Sequence, residues 1–319
     1  MSARHVREPV GRPRRIVAGL LVAASLLSGA LRGEAKEATI GYQLIYAPWA
    51  VPIAQGRVEK DTGYDVRWVK LDSGARVAAA LAAGDSDIGV LGSGALAAGI
   101  AGGADLLLLY VMSDVAAAEA LVVRAGAGID PAEPATLRGK RVATPFLSTS
   151  HYHLLAALRA WGIPPGELRL VDLPAQRIEA AWTRGDIDAA FVRTPILTRI
   201  ERTGTTMIVS AELAAKGRPT FHGMAARRAF AEANRDFLVA LVRIVAEAGT
   251  AYRGGKERWT ADSPEIAALV SIFGGDPDEV PPALALYAYP TLEEQASERW
   301  LGGGARSGAA QALHATAEL

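Results

Sequence analysis

Short apolar runs alternate along the chain with longer segments whose apolar residues recur every three to four positions. Residues 38–42 read as a first strand, 43–49 as a loop, and 50–59 as a helix that Gly63 closes. Residues 65–71 (DVRWVKL) alternate like a half-exposed strand. Asp72 and Ser73 can cap a helix over 75–83, which Gly84 ends. Strands are expected over 85–91, 106–112, 120–124, 141–146, 168–173 and 207–210. Helices are expected over 178–183, 226–252, 264–273, 292–300 and 308–319. Such alternation predicts an α/β fold.

One pattern occurs twice. Residues 81–91 read LAAGDSDIGVL and residues 181–192 read AWTRGDIDAAFV. Each is a helix end, then Gly-Asp-x-Asp, then an apolar strand. The glycine suits a helix C-terminus and the aspartates suit the turn after it, so the Asp pairs are read as turn residues rather than metal ligands. Beyond the strands come Gly92-Ser93-Gly94 in the first copy and Arg193-Thr194-Pro195 in the second. The echo suggests two similar lobes that present loops at the carboxyl ends of their strands, where open α/β sheets bind ligands.

Residues 140–161 carry the clearest candidate chemistry. A strand, a polar turn (Leu147-Ser148-Thr149-Ser150) and a helix starting at His151 follow one another. The first turn of a helix leaves N–H groups unpaired at its positive end, so this turn can seat an oxyanion. A plain serine or threonine cap fits the same residues.

Composition narrows the classes. Lys plus Arg and Asp plus Glu number 34 each in 319 residues, so no bulk field draws the protein to nucleic acid or anionic lipid. There is no cysteine, which excludes disulfides and thiolate metal sites. Nothing implies a metal or cofactor. At the N-terminus Arg4, Arg7, Arg12, Arg14 and Arg15 precede an apolar run over 16–31, and Gly33-Glu34-Ala35 offers small residues for cleavage. Residues 1–35 therefore read as a secretory signal peptide, which places the mature chain in the periplasm.

Several stretches together carry a family resemblance: GYQLIYAPW from Gly41, LDSGARV from Leu71, GDSDIGVLGSG from Gly84, AAAEALVV from Ala116, GKRVATPFLSTSHYHLLAAL from Gly139, AAWTRGDIDAAFV from Ala180 and PTFHGM from Pro219. The chain resembles the taurine-type periplasmic substrate-binding proteins of ABC importers, within the sulfonate and nitrate binder group. The resemblance implies a two-lobed, type II binding-protein fold with the ligand cleft between lobes. Lobe 1 would comprise 36–121 and 222–319, and lobe 2 residues 122–221. It also implies a permease and an ATPase subunit as partners, a monomeric protein, and no catalysis.

The family's ligand contacts map onto Gln43, Gly92 and Ser93 in the first lobe and Ser148, Thr149, Ser150 and His151 in the second. Asp114 and Glu119 flank the crossing, and Tyr46 and Trp49 can wall the pocket. Two positions depart from the family pattern. Arg193-Thr194 stands where taurine-type relatives have Trp-Asp, and His222 stands where they have Asp. Partners for an ammonium are thereby reduced and a guanidinium is added. Two ligand readings stay open: taurine or a related sulfonate, and a dianionic sulfocarboxylate or dicarboxylate. An enzyme of the pyrimidine-synthesis or hydrolase type on the same fold finds little support. His151 and His153 do not share a helix face, and no Gly-x-Ser-x-Gly elbow surrounds the serines.

Overall fold

The computed structural model describes residues 36–318; the expected signal peptide lies outside the described residues. The first sheet contains β1 (Glu37–Tyr42), β2 (Asp65–Lys70), β3 (Ile88–Gly92) and β4 (Leu106–Asp114). The second contains β5 (Glu119–Arg124), β6 (Arg141–Thr144), β7 (Arg169–Asp172), β8 (Ala189–Arg193) and β9 (Gly204–Val209). The chain then returns to the first sheet as β10 (Phe221–Arg227).

The two sheets have the same plan. Their strand orders are β2-β1-β3-β10-β4 and β7-β6-β8-β5-β9. In each, the first three strands are parallel, and an antiparallel strand separates the third from the edge. The separating strand, β10 or β5, is the one that directly follows a crossing between lobes. The second sheet begins at Glu119, so the first crossing occupies residues 115–118.

The repeated Gly-Asp-x-Asp unit builds the same corner in both lobes. Gly84 and Gly185 end their helices in the left-handed conformation, at φ 82° and 74°. Asp87 then accepts from the Thr39 N–H through Oδ2 (2.9 Å), and its own N–H donates to the Thr39 carbonyl. Asp188 does the same with Arg141, again at 2.9 Å. The carbonyls of Asp87 and Asp188 accept from Arg227 and Arg124, at the far ends of β10 and β5. The aspartates thus pin the third strand, the first strand and the antiparallel strand together, and no group of three or more potential metal ligands occurs among the described residues.

Each lobe has its own apolar interior. In the first, Ile40, Ile88, Met224 and Leu241 lie beneath an aromatic group formed by Tyr42, Trp49, Trp68 and Phe273. In the second, Leu121, Val142, Leu154 and Phe191 fill one sheet face, and Val122, Ile178, Trp182 and Val192 the other. Burying side chains of this size stabilises by about 1.5–3 kcal/mol each.

Three differences from the expected elements have local causes. Residues 50–59 form two short helices, Ala50–Ala54 and Arg57–Thr62, because Gly56 between them adopts φ 61°. The segment 292–300 is helical only over Leu292–Ala296. β10 fills a place assigned to a crossing and a helix start: HGMAA has neither alternation nor β-branched residues, and a strand buried on both faces needs neither.

Candidate functional site

The lobes meet at the carboxyl ends of their strands. β3 leaves its sheet at Gly92 and runs directly into the helix Ser93–Ala101. β6 leaves through Pro145–Ser148 and enters the helix Thr149–Ala160, two residues earlier than the expected start at His151. These two helix N-termini abut. A Cβ built on Gly94 would stand 2.6 Å from the Ser148 carbonyl carbon and oxygen, and one on Gly92 would stand 2.9 Å from Thr149 Cγ2. Glycine is required at Gly94 because backbone lies where a side chain would go. Ser93, Gly94, Thr149 and Ser150 open their helices, so their N–H groups have no intrahelical acceptor. The Ser150 hydroxyl is buried and makes no hydrogen bond.

Glu119 and Arg193 are the buried acidic and basic chain members among the described residues, and both stand at this seam. They are opposite one another in the β5–β8 ladder. Their side chains nonetheless diverge. Glu119 accepts a short hydrogen bond from the Thr149 hydroxyl through Oε1, and its Oε2 lies 3.6 Å from His153 Nδ1. His153 Nε2 donates to the Arg218 carbonyl at 2.9 Å. A carbonyl only accepts, so Nε2 carries a proton. Glu119 Oε2 and His153 Nδ1 face one another, and both are buried without a hydrogen bond. Burial works to raise the Glu119 pKa, but His153, the Thr149 hydroxyl and His222 outweigh it and hold the carboxyl below its ordinary value.

Arg193 reaches across to the first lobe. Its Nη2 donates to Gln43 Oε1 (3.2 Å) and to the Leu44 carbonyl (2.9 Å), while its Nε is buried without a hydrogen bond. His222, opposite Gly92 in the β10–β3 ladder, shares a 3.0 Å hydrogen bond between Nδ1 and Ser113 Oγ; its Nε2 is buried and unbonded. Burial, reinforced by Arg193 and partly opposed by Glu119, lowers the His222 pKa to about 3, so the ring is neutral. The Tyr287 ring lies 5.5 Å from that of His222, and its hydroxyl is also buried and unbonded.

The residues singled out from sequence fall into two groups. Gln43, Gly92, Glu119, Thr149, Ser150, Arg193 and His222 come together at the seam. The others have separate engagements. Ser93 is buried there too, but its hydroxyl accepts from the Phe221 N–H. Ser148 caps its helix, accepting from the His151 N–H and donating to the Pro145 carbonyl. His151 stacks on Phe146 with ring centroids 4.5 Å apart, and its Nδ1 accepts from Leu147 N–H. Trp49 packs in the aromatic group of the first lobe, and Tyr46 donates to the Gly274 carbonyl while packing on Phe273. Asp114 accepts from Ala116 N–H and lies 3.5 Å from Arg299. His153 and Tyr287 were not among the expected site residues. In the sequence His153 reads only as a base for a serine, and Tyr287 sits in LYAYP, which carries no motif.

The arrangement does not make a hydrolase. His153 donates to a carbonyl through Nε2 and faces Glu119 with Nδ1, and the Ser150 hydroxyl bonds to no base. Ser113 does touch a histidine, but His222 is too weakly basic to activate it near neutral pH. What the seam offers is donors: two helix N-termini, hydroxyls and a guanidinium.

The model of the NMT1-like family matches residues 32–270. The taurine-binding periplasmic protein of Escherichia coli K12 is 35% identical over 275 residues, spanning 86% of this chain and 85% of that one. The crystal structure of the periplasmic aliphatic sulphonate binding protein SsuA from Escherichia coli matches with a TM-score of 0.64 and 25% identity, covering 80% of this chain and 84% of that one. The alkanesulfonate-binding SsuA of Xanthomonas axonopodis pv. citri, bound to MOPS, shares the fold at a TM-score of 0.70 and 22% identity, covering 83% and 92%. The chain belongs to the NMT1-like family and is a solute-binding protein rather than an enzyme.

Proposed function

We propose that the protein is the periplasmic solute-binding component of an ABC importer, that it captures a small organosulfonate between its lobes, and that it hands the ligand to a permease driven by an ATPase subunit. In this reading residues 1–35 direct export and are removed, and the mature protein acts as a monomer. The observation that carries the ligand class is the meeting of two helix N-termini beside the unbonded Ser150 hydroxyl. A sulfonate has three acceptor oxygens and one charge. Unpaired N–H groups from two dipole-aligned helices can serve all three, and charge-assisted bonds of this kind are strong. The names of the relatives point to the same headgroup.

Closure follows from where the groups sit. Thr149 and Ser150 belong to one lobe and Ser93 and Gly94 to the other, so a bound headgroup ties the lobes together. A thermal-shift screen of the mature protein against sulfonates, sulfate esters and carboxylates tests the reading. A ligand at 100 times its Kd should add about 2.7 kcal/mol of stability. Stabilisation by sulfonates supports it; a screen in which carboxylates or sulfate esters stabilise and no sulfonate does would sink it.

A further inference from the structure

The headgroup seat accounts for only part of the unsatisfied chemistry at the seam. Arg193 Nε, the Tyr287 hydroxyl and His222 Nε2 are also buried and unbonded. Resting on the sulfonate reading above, we propose that the other end of the ligand is a carboxylate, received by Arg193, His222 and Tyr287, so that the protein prefers sulfocarboxylates to aminosulfonates.

Three observations lead there. The first is the donor character of the set. A guanidinium has five N–H groups and no acceptor, so only an acceptor can satisfy Nε. Two of its contacts already go to Gln43 and Leu44, which fixes the plane of the fork. If the Ser113 hydroxyl donates to His222 Nδ1, the single proton of the neutral ring sits on Nε2 as another donor. Tyr287 supplies a hydroxyl that rotates to suit. The His222 and Tyr287 rings lie 5.5 Å apart, and the charges of Arg193 and Glu119 both act on the ionisation of each.

The second is the direction in which the carboxylates nearby are engaged. Among the described residues Glu119 is the buried carboxylate; its Oε1 accepts from the Thr149 hydroxyl, and its Oε2, unbonded, lies on the His153 side rather than toward Arg193. Asp114 is tied to Ala116 and Arg299. An ammonium beside Arg193 would meet donors and a like charge.

The third is the behaviour of Arg193 toward its own cross-strand neighbour. An arginine and a glutamate opposite one another and both buried would ordinarily pair. Here they turn apart, and the Arg193 guanidinium bonds to Gln43 and Leu44 without a carboxylate partner. A carboxylate matches the planar fork of that group better than any neutral acceptor does.

Isothermal titration of the mature protein with sulfoacetate, ethanesulfonate, isethionate and taurine tests this. Sulfoacetate should bind at least about tenfold more tightly than ethanesulfonate, as one further charge-assisted contact implies, and taurine should be the weakest. Taurine binding as tightly as sulfoacetate overturns the proposal but leaves the sulfonate reading standing. Binding by no sulfonate overturns both. Two variants guard against general damage, with the ratio of sulfoacetate to ethanesulfonate affinity as the readout. Arg193→Met should bring that ratio to about one, even if loss of the Gln43 bridge weakens both ligands. Tyr287→Phe keeps the bridge and should lower the ratio by about threefold to tenfold. A ratio unchanged in both variants overturns the assignment of the second seat.

Discussion

β3 and β8 occupy equivalent places in their sheets, start from equivalent aspartates and end in opposite chemistry. Asp87 and Asp188 bind the same backbone partners in the same way, so the two scaffolds coincide at the base of the strand. At the top, β3 delivers Gly92-Ser93-Gly94 and a nine-residue helix, whereas β8 delivers a guanidinium and a five-residue helix. The partners across the seam follow the same pseudo-symmetry. The exit of β3 meets the exit of β6, backbone against backbone. The exit of β8 meets the loop after β1 through the Arg193 side chain, which donates to the Gln43 side chain and to the Leu44 carbonyl. One scaffold used twice thus gives one crossing made of helix ends and one made of a charged side chain. On the proposed reading the first seats the oxyanion and the second selects what is attached to it.

The largest effect should come from spoiling the first crossing. Gly94→Val places a branched side chain where the Ser148 peptide lies. A protein held open loses the second half of its headgroup seat, and affinity for the best sulfonate should fall by about 100-fold or more. Thermal stability without ligand should change less than affinity, because the substitution leaves the apolar interior of each lobe untouched. Gly92→Ala meets the Thr149 side chain rather than backbone, so it should cost less, although the Glu119 hydrogen bond holds that side chain in place. Equal losses in the two variants, or none in either, would show that the head-to-head contact does not belong to the bound state.

The base of the strands allows a test of equivalence. Asp87→Asn and Asp188→Asn each remove charge from hydrogen bonds to backbone and arginine, and each should destabilise by about 2 kcal/mol. Their acid behaviour sharpens the comparison. Hydrogen bonding to Arg141, against a smaller effect of burial, holds the Asp188 carboxyl at about 2. Its stabilising contribution is complete above the unfolded value, near 3.9, and is lost as pH falls through about 2. Chemical denaturation across that window should therefore show a flatter acid limb for Asp188→Asn than for the parent. An acid limb identical to the parent's would mean that Asp188 remains as easily protonated folded as unfolded.

Much of the scaffold was legible from residues. Gly84 and Gly185 end helices, the Asp pairs make turns, and the two strands after them are buried, all as the repeated pattern implied. The site was legible only where the backbone does the work. The polar turn over 147–150 and Gly92-Ser93-Gly94 read as loop ends that can meet a ligand, although the helix begins at Thr149 rather than at His151. Side-chain direction was not legible. His151 and His153 are two residues apart on one helix, and whichever turns toward Phe146 leaves the other for Glu119. That choice depends on Arg218 and Phe191, which are distant in sequence. Tyr287 joins the seam through a bridge between Ala288 and Asp114, a pairing that no local pattern encodes.

The smallest expected effect concerns two residues in left-handed backbone, Leu147 (φ 59°) and Ala116 (φ 46°). One stands at the turn into the Thr149 helix and the other in the crossing between lobes, so each lies at a joint that closure would use. Left-handed backbone costs a side-chain-bearing residue about 1–2 kcal/mol, and asparagine bears it more cheaply. Leu147 is half exposed, so replacing it loses little apolar burial. Leu147→Asn should therefore raise unfolding stability by about 0.5–1 kcal/mol, a shift of about 1–4 °C in Tm for a chain of this size. Ala116→Asn should act in the same direction. Their effects on ligand affinity should differ, because Leu147 adjoins the headgroup seat while Ala116 adjoins the crossing. If the strain at Leu147 holds the Thr149 helix end in its binding position, the stabilised variant binds less tightly, and the Ala116 variant does not. Equal affinity in both would assign the strain at Leu147 to the turn alone, and the two crossings of the seam would then rest entirely on Gly94 and Arg193.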